Sequence, residues 1–474
     1  MRKTNFTEAE IIEYLQKIVN TRFTRFILKE LTDVKRIEKS LGIYVGVEEA
    51  HSLIDRTHAR LLGKVLEEGA EKFGVEKNQV KESLRDPYMR KGFAVILRSI
   101  AEYGITKPQK LVAPFMVVWD FTKMCNLKCK HCYANASASG SEDELTLEEK
   151  YEVVDQLDNA GVAAISFSGG EPLLDKDFWK VAKYAKQKGF YLSVATNGTL
   201  INEAIAKRLK EVGVRYVEIS LDAPTPDIHD EFRGVDGAFN LAVRGIRNSK
   251  KVGLSTGIAT TITKRNLDYV GEMIQFARSL NVDRFIVFNF IPTGRGREIM
   301  EEDLSPKERE DLMNLLYEEW QKGGMQIFST CPAYARVSIT GGGRRFSPTH
   351  FAELEFPPEL SEASKTLAEF IGGCGAGRIY CSIEHNGDIQ PCVFIPITIG
   401  NVLRDGFINV WKNNEILRSL RDRDAPDYAC SSCAFRYVCG GCRARAYVYF
   451  NNLKAADPGC ILRETEWVEL IHQF

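Results

Sequence analysis

The chemical content of this 474-residue sequence is concentrated in twelve cysteines whose spacing is far from random. Cys125, Cys129 and Cys132 form a CxxxCxxC run, Cys331 stands alone, and Cys374, Cys381, Cys392, Cys430, Cys433, Cys439, Cys442 and Cys460 crowd the C-terminal part. The start, MRKTNFTEAEIIEYL, has a short basic run with no apolar stretch after it, so no secretory signal is expected and disulfides explain the thiols poorly. Grouped thiolates point to iron–sulfur clusters or zinc. Three thiolates in one loop leave one iron of a four-iron cubane open to a non-protein ligand, which a site closed by four thiolates lacks. Zinc held by the triad with His131 is the alternative, although His131 and Cys132 are adjacent and hard to bring onto one ion together. The C-terminal set, built around CSSCAFRYVCGGC, suits clusters, a zinc ribbon or two zinc ions.

The elements that position these thiols read from periodicity. Residues 1–110 are mostly helical in pattern: Thr7 and Glu10 form a capping box before IIEYLQKIV, and HSLIDRTHARLLGKVLEEGAEKF and MRKGFAVILRSIAEYG follow. His51 and His58, seven residues apart, make no metal signature. From Pro114 to about Gly323 short strands alternate with helices, the strands starting at Phe115, Ala163, Phe190, Val214, Leu254 and Arg284 and the helices near Leu147, Asp177, Ile201, Ala238, Asn266 and Pro306. Six such units predict a parallel sheet, doubly wound or closed into an incomplete barrel, with function at the C-terminal strand ends. Gly341, Gly342 and Gly343 predict a mobile loop or a close-approach turn, and EHNGDIQPC, with Gly387 five positions before Cys392, a hairpin. Lys and Arg total 63 against 64 Asp and Glu, which leaves no overall basic field for nucleic acid. No apolar run is long enough to span a bilayer, so a cytoplasmic protein is expected.

The segment WDFTKMCNLKCKHCYANA after the first strand, followed by SGGEPLL after the second, resembles the radical S-adenosylmethionine enzyme family. The resemblance implies an α/β fold, a partial (βα)6 barrel over 111–323, between a helical N-terminal region (1–110), a bridge (324–373) and a cysteine-rich auxiliary iron–sulfur domain (374–474). It assigns Cys125, Cys129 and Cys132 to a [4Fe–4S] cluster. Gly169, Gly170, Glu171 and Pro172 approach the methionine end of S-adenosylmethionine, while Asn197, Ser220, Asp222, Thr260, Asn289 and Arg295 line the cofactor and substrate cavity. In such enzymes the reduced cluster cleaves S-adenosylmethionine to methionine and a 5′-deoxyadenosyl radical, which abstracts a substrate hydrogen. The protein controls orientation and separation.

The C-terminal cysteines resemble the SPASM extension of that family, which commonly holds two auxiliary [4Fe–4S] clusters and so implies three clusters in all. The family arrangement assigns Cys374, Cys381, Cys392 and Cys442 to the nearer one and Cys430, Cys433, Cys439 and Cys460 to the farther, with one departure, a two-residue gap between Cys439 and Cys442 where three is common. Cys331 is left over as an ordinary thiol or a substrate-side group, with Tyr334 and Arg336 as candidate substrate contacts. The implied reaction is oxidative modification of an unactivated carbon, foremost in a peptide, although the helical N-terminal third is unlike the strand-rich peptide-recognition module of many maturases. A tetrapyrrole is the next reading, since CGAGRIYC and PCVFIPITIGNV look similar to the extension of haem-biosynthetic relatives. A lipid or isoprenoid is the third, with Phe115, Trp119 and Phe121 and the face around Phe93, Ile96 and Leu97 as an apolar route and peripheral membrane contact by the N-terminal helices. A pure electron carrier has no use for GGEP beside an open triad. A low-potential ferredoxin or flavodoxin is the expected electron donor.

Overall fold

The computed structural model describes residues 33–72, 76–342, 345–349, 352–355 and 367–463. The helix expected after Thr7 and the third of the adjacent glycines, Gly343, lie outside them. Strands β1 (Met116–Thr122), β2 (Ala164–Gly169), β3 (Tyr191–Thr196), β4 (Val214–Ser220), β5 (Ser255–Ile262), β6 (Arg284–Asn289) and β7 (Gln326–Ser329) pair in chain order, all parallel. A separate antiparallel pair is formed by β8 (Arg345–Thr349) and β9 (Ala352–Glu355). Strand β10 (Tyr380–Ile383) adds to the free edge of β1 in parallel, and β11 (Asp388–Gln390) and β12 (Gly400–Asn401) extend it antiparallel, giving ten strands in the order β12-β11-β10-β1 to β7.

The six strands and six helices read from periodicity are present, with the capping boxes at Thr146/Glu149 and Ser305/Glu308 formed. The sheet nevertheless takes in residues past the C-terminal boundary expected for the barrel, at both of its edges. Gln326–Ser329 continues it beyond 323, and the hairpin around Gly387 belongs to the same sheet instead of standing apart among the cysteines. An open edge on β1 would leave a row of unpaired backbone groups, and the four-residue strand YCSI covers it.

Alternation in each strand sorts side chains to two faces. Val117, Trp119 and Phe121 of β1 point outward into the main core with Phe167 and Phe178, under the helices. Met116 and Val118 point inward, with Ser166 of β2, Ser193 of β3, Ser220 of β4 and Ile286 of β6, and line a cavity of about 480 Å3. Of the apolar route drawn from sequence, only Phe115 faces this cavity. Trp119 and Phe121 are core, while Phe93 and Leu97 pack against Ile37 and Leu41 of helix Val34–Tyr44, because helix Pro87–Tyr103 has neighbours on two sides.

That helix closes the N-terminal end of the barrel. The Tyr88 ring lies 5.4 Å from Phe115 and 5.0 Å from Tyr191, and the Lys91 ammonium reaches Asp158 at 2.5 Å. The opposite end, at the C-terminal strand ends, carries the cysteines. Gly341 caps helix Ala333–Thr340 where an added Cβ would lie 2.3 Å from the Tyr317 ring, so close approach explains this glycine.

Candidate active site

The loop after β1 places Cys125, Cys129 and Cys132 together on the cavity wall. Donors converge on these sulfurs: the Leu127 backbone N–H lies 3.4 Å from Cys125 Sγ, and the Arg233 guanidinium lies 3.6 Å from Cys129 Sγ. Burial pushes the free Cys125 thiol up to about 12, so a metal at this loop must supply the charge that makes it a thiolate. His131, the alternative zinc ligand, stacks on Phe232 at 4.1 Å, and burial lowers it to about 3, which keeps it neutral. Arg295 was expected in the cavity and does face it, but its hydrogen bonds go to the Cys129 carbonyl (3.0 Å) and the Ala136 carbonyl (2.7 Å), clamping the loop.

The GGEP segment divides its work. Gly169 and Gly170 line the cavity, and the bare backbone is required there: Gly169 sits at φ +111°, and a Cβ on Gly170 would meet the Met124 carbonyl oxygen at 2.2 Å. Gly170→Ala therefore forces the backbone just before Cys125 to shift. The expected result is a stability loss of about 1–3 kcal/mol in chemical denaturation, together with weaker S-adenosylmethionine binding in equilibrium dialysis.

Glu171 is fully buried behind this wall. Its carboxylate accepts from the Asn197 backbone N–H at 2.8 Å, from the Thr196 hydroxyl and from the Leu173 backbone N–H, and desolvation holds it up at about 7. It shapes the turn carrying Asn197 instead of contacting the cavity, and Pro172 starts the 3-10 turn beside it. Asp222 and Thr260 are corrected in the same way. Asp222 accepts from Arg233 Nε at 2.6 Å and from the Thr261 backbone N–H, and Thr260 donates to the Leu221 carbonyl. Alternation turns Thr260 away and presents Thr261. Asn197, Ser220 and Asn289 face the cavity as expected.

The second cysteine group borders the same cavity. Cys374, Cys392 and Cys442 gather round Tyr380, whose hydroxyl lies 2.8 Å from Cys392 Sγ. Cys381 does not join them. It follows Tyr380 on β10 and so points to the opposite face, fully buried in the main core across from Val117, where burial raises its thiol. Tyr133, next to Cys132, packs edge-on to Phe394 at 5.3 Å and donates to Asp120 at 2.8 Å, linking the two cysteine regions.

Farther out, Cys433 accepts from the Phe435 backbone N–H at 3.4 Å. Such N–H···S contacts recur at Cys392, Cys439 and Cys442. Backbone donors aimed at sulfur suit thiolate ligands of iron–sulfur clusters. Among the described residues no three His, Cys, Asp or Glu side chains are gathered closely enough for one metal ion.

Cys331 and Tyr334 reach the cavity, the Tyr334 hydroxyl donating to the Ile327 carbonyl. Arg336 does not: it pairs with Glu310 and lies over the Phe435 ring. Sequence reasoning missed Arg233, because the eight-residue helix Pro226–Arg233 sits inside what reads as the loop after β4.

Comparison with known proteins agrees with this geometry. Residues 119–277 match the radical SAM superfamily and 374–434 match SPASM, an iron–sulfur cluster-binding domain. The chain is 33% identical over 352 residues to an AdoMet-dependent heme synthase of Methanosarcina barkeri, covering 74% of this chain and 97% of that one. It is 34% identical to the Fe-coproporphyrin III synthase of the same organism (74% and 88% covered), and 33% identical to mycofactocin maturase MftC of Mycobacterium tuberculosis (75% and 85%). Streptococcus suis SuiB, solved with its precursor peptide SuiA, shares the fold at TM-score 0.61 and 19% identity, covering 89% of this chain and 91% of that one. Relatives about one third identical over about three quarters of the chain, with the radical SAM match spanning the cysteine triad and diglycine and the SPASM match beyond it, make this chain a member of the radical S-adenosylmethionine superfamily with a C-terminal SPASM extension.

Proposed function

We propose that this enzyme oxidatively modifies a side chain of a tetrapyrrole. The observation that carries the reading is that relatives named as heme, Fe-coproporphyrin III and pre-heme d1 synthases align over about three quarters of this chain and 86% or more of their own length. A cavity walled by Phe115, Val118, Ile286, Phe288 and Phe328 offers an apolar enclosure for a flat ring system. The peptide reading, foremost from sequence, becomes second, favoured by the mycofactocin maturases at 33% identity.

When bound, the cluster and S-adenosylmethionine supply the hydrogen-abstracting radical. The chain's own residues orient and exclude. Cys125, Cys129 and Cys132 hold the cluster, Gly169 and Gly170 admit the cofactor's methionine end, and Arg295 keeps the cysteine loop in place. The apolar wall keeps water from the reacting carbon. Cys374, Cys392 and Cys442 would hold a nearer auxiliary cluster, and Cys430, Cys433, Cys439 and Cys460 a farther one.

Anaerobic reconstitution is expected to give about twelve iron and twelve sulfide per chain. Incubation with iron coproporphyrin III, S-adenosylmethionine and reductant should then change the porphyrin's mass only when both cofactor and reductant are present. An unchanged porphyrin alongside a modified peptide from cell extract would transfer the assignment to the second reading.

A further inference from the structure

The floor of the cavity carries charge that the cofactor end does not use. Glu218 lies on β4 two residues before Ser220 and on the same face, so it sits one inward layer, about 7 Å, deeper than the strand ends. It is half-buried inside the barrel and lines the cavity. The Tyr216 hydroxyl lies 3.4 Å from it. Arg284, at the start of β6, lays its guanidinium over the Tyr216 ring at 4.7 Å and donates through Nε to Gln326 at 2.8 Å. Between these strands β5 contributes Gly257, paired with Glu218 on one side and Arg284 on the other. A Cβ there would lie 2.0 Å from the Tyr216 hydroxyl, so the glycine makes the room in which the three polar groups meet.

From this arrangement we infer that Arg284, Glu218 and Tyr216 form a carboxylate-binding floor, taking a propionate-type substituent of the substrate remote from the reacting carbon. The inference rests on the tetrapyrrole reading. Arg284 offers N–H donors still free of its one bond to Gln326, in a fork that matches a carboxylate, while the tyrosine O–H is turned to Glu218 and orients that carboxyl. Glu218 completes the set in its neutral form. Burial in the barrel raises it to about 7, so below that pH its O–H donates to the ligand, and above it the carboxylate repels the ligand. The titratable groups facing it are Tyr216 on its own strand and Arg284 from β6, with Tyr191 of β3 and Tyr88 of helix Pro87–Tyr103 farther round the floor. Strand β5 presents Gly257 and Ala259, which carry no charge. Binding held at a point away from the chemistry fixes which substrate hydrogen meets the radical.

The test is a titration of the full-length reconstituted enzyme with iron coproporphyrin III and, separately, with its tetramethyl ester, read by the Soret absorbance. The free acid should bind more tightly than the ester, with an affinity that falls as pH rises from about 6 to about 8. Arg284→Gln should weaken the acid by roughly tenfold to a hundredfold and leave the ester unchanged. Arg284→Lys, which keeps a charge without the fork, should fall between. Glu218→Gln keeps a donor that cannot ionise and should flatten the pH dependence while preserving the affinity seen at low pH. Equal binding of acid and ester, or acid binding untouched in all three variants, overturns the carboxylate floor and leaves the tetrapyrrole reading standing. Failure of both porphyrins to bind overturns the two together.

Discussion

Alanine at any one of Cys125, Cys129 or Cys132 is expected to abolish reductive formation of 5′-deoxyadenosine, while the iron proposed for the C-terminal cysteines should persist. The three thiols stand on one loop wall, and three thiolates would leave one iron of a four-iron cluster open, so the two left in each variant are not expected to hold the same cluster. Iron content should fall by about four per chain. Activity should drop to the level of the protein-free reaction, measured by chromatography after anaerobic reduction. A folded variant that made 5′-deoxyadenosine at the parent rate would remove the triad from the chemistry. The C-terminal cysteines lie on other elements and border other parts of the cavity, which is why their iron is expected to survive.

The largest loss of stability is expected for Arg445→Ala. Arg445 lies in the first turn of the helix Arg443–Phe450 and is fully buried, donating to Asp303 at 3.2 Å, to the Asn289 side chain at 2.8 Å and to the Phe290 carbonyl at 2.6 Å. It therefore joins the C-terminal cysteine region to the end of β6. Removing it leaves Asp303 only partly compensated, by Arg309 at 2.8 Å and the Tyr449 hydroxyl, so the loss should lie at or below the low end of the about 3–5 kcal/mol that an uncompensated buried charge costs. Chemical denaturation reads the loss, and hydrogen exchange should show Arg443–Phe450 opening first.

The sign of the accompanying pH dependence follows from Asp303. Burial pushes its carboxyl up, but Arg445 and Arg309 outweigh this and hold it below the usual carboxylate range. Its contribution to stability is thus present above the ordinary carboxylate pKa and lost as pH falls through the lowered one. In Arg445→Ala this acid sensitivity should shrink. A variant as stable as the parent with the same acid limb would show that the network carries no net stabilisation.

What the amino-acid order determines by itself is what is local. The CxxxCxxC triad lies within one loop, so its spacing gathers three thiols before any fold is known, and GGEP beside it turns the reading from zinc toward an open iron–sulfur cluster. GGEP lies just past a strand whose alternation is plain, and the capping boxes at Thr146 and Ser305 announce their helices. These signals span only a few residues, and the structure forms both capping boxes and brings the triad and the diglycine to one cavity wall.

The tertiary structure decides which face each side chain takes and which distant elements meet. Cys381 looks like a fourth ligand in sequence, yet one step along β10 from Tyr380 turns it into the core, because side-chain direction reverses at every strand residue. The same reversal hides Thr260 and presents Thr261, and it places Glu218 beneath Ser220. Glu171 and Asp222 become supports because backbone donors from other strands saturate their carboxylates. Arg233 reaches Cys129 across 104 residues, and the cavity floor is assembled from a helix and strands β3, β4 and β6. No local pattern encodes such meetings, since they depend on parallel strands separated by whole helices being brought side by side in one register.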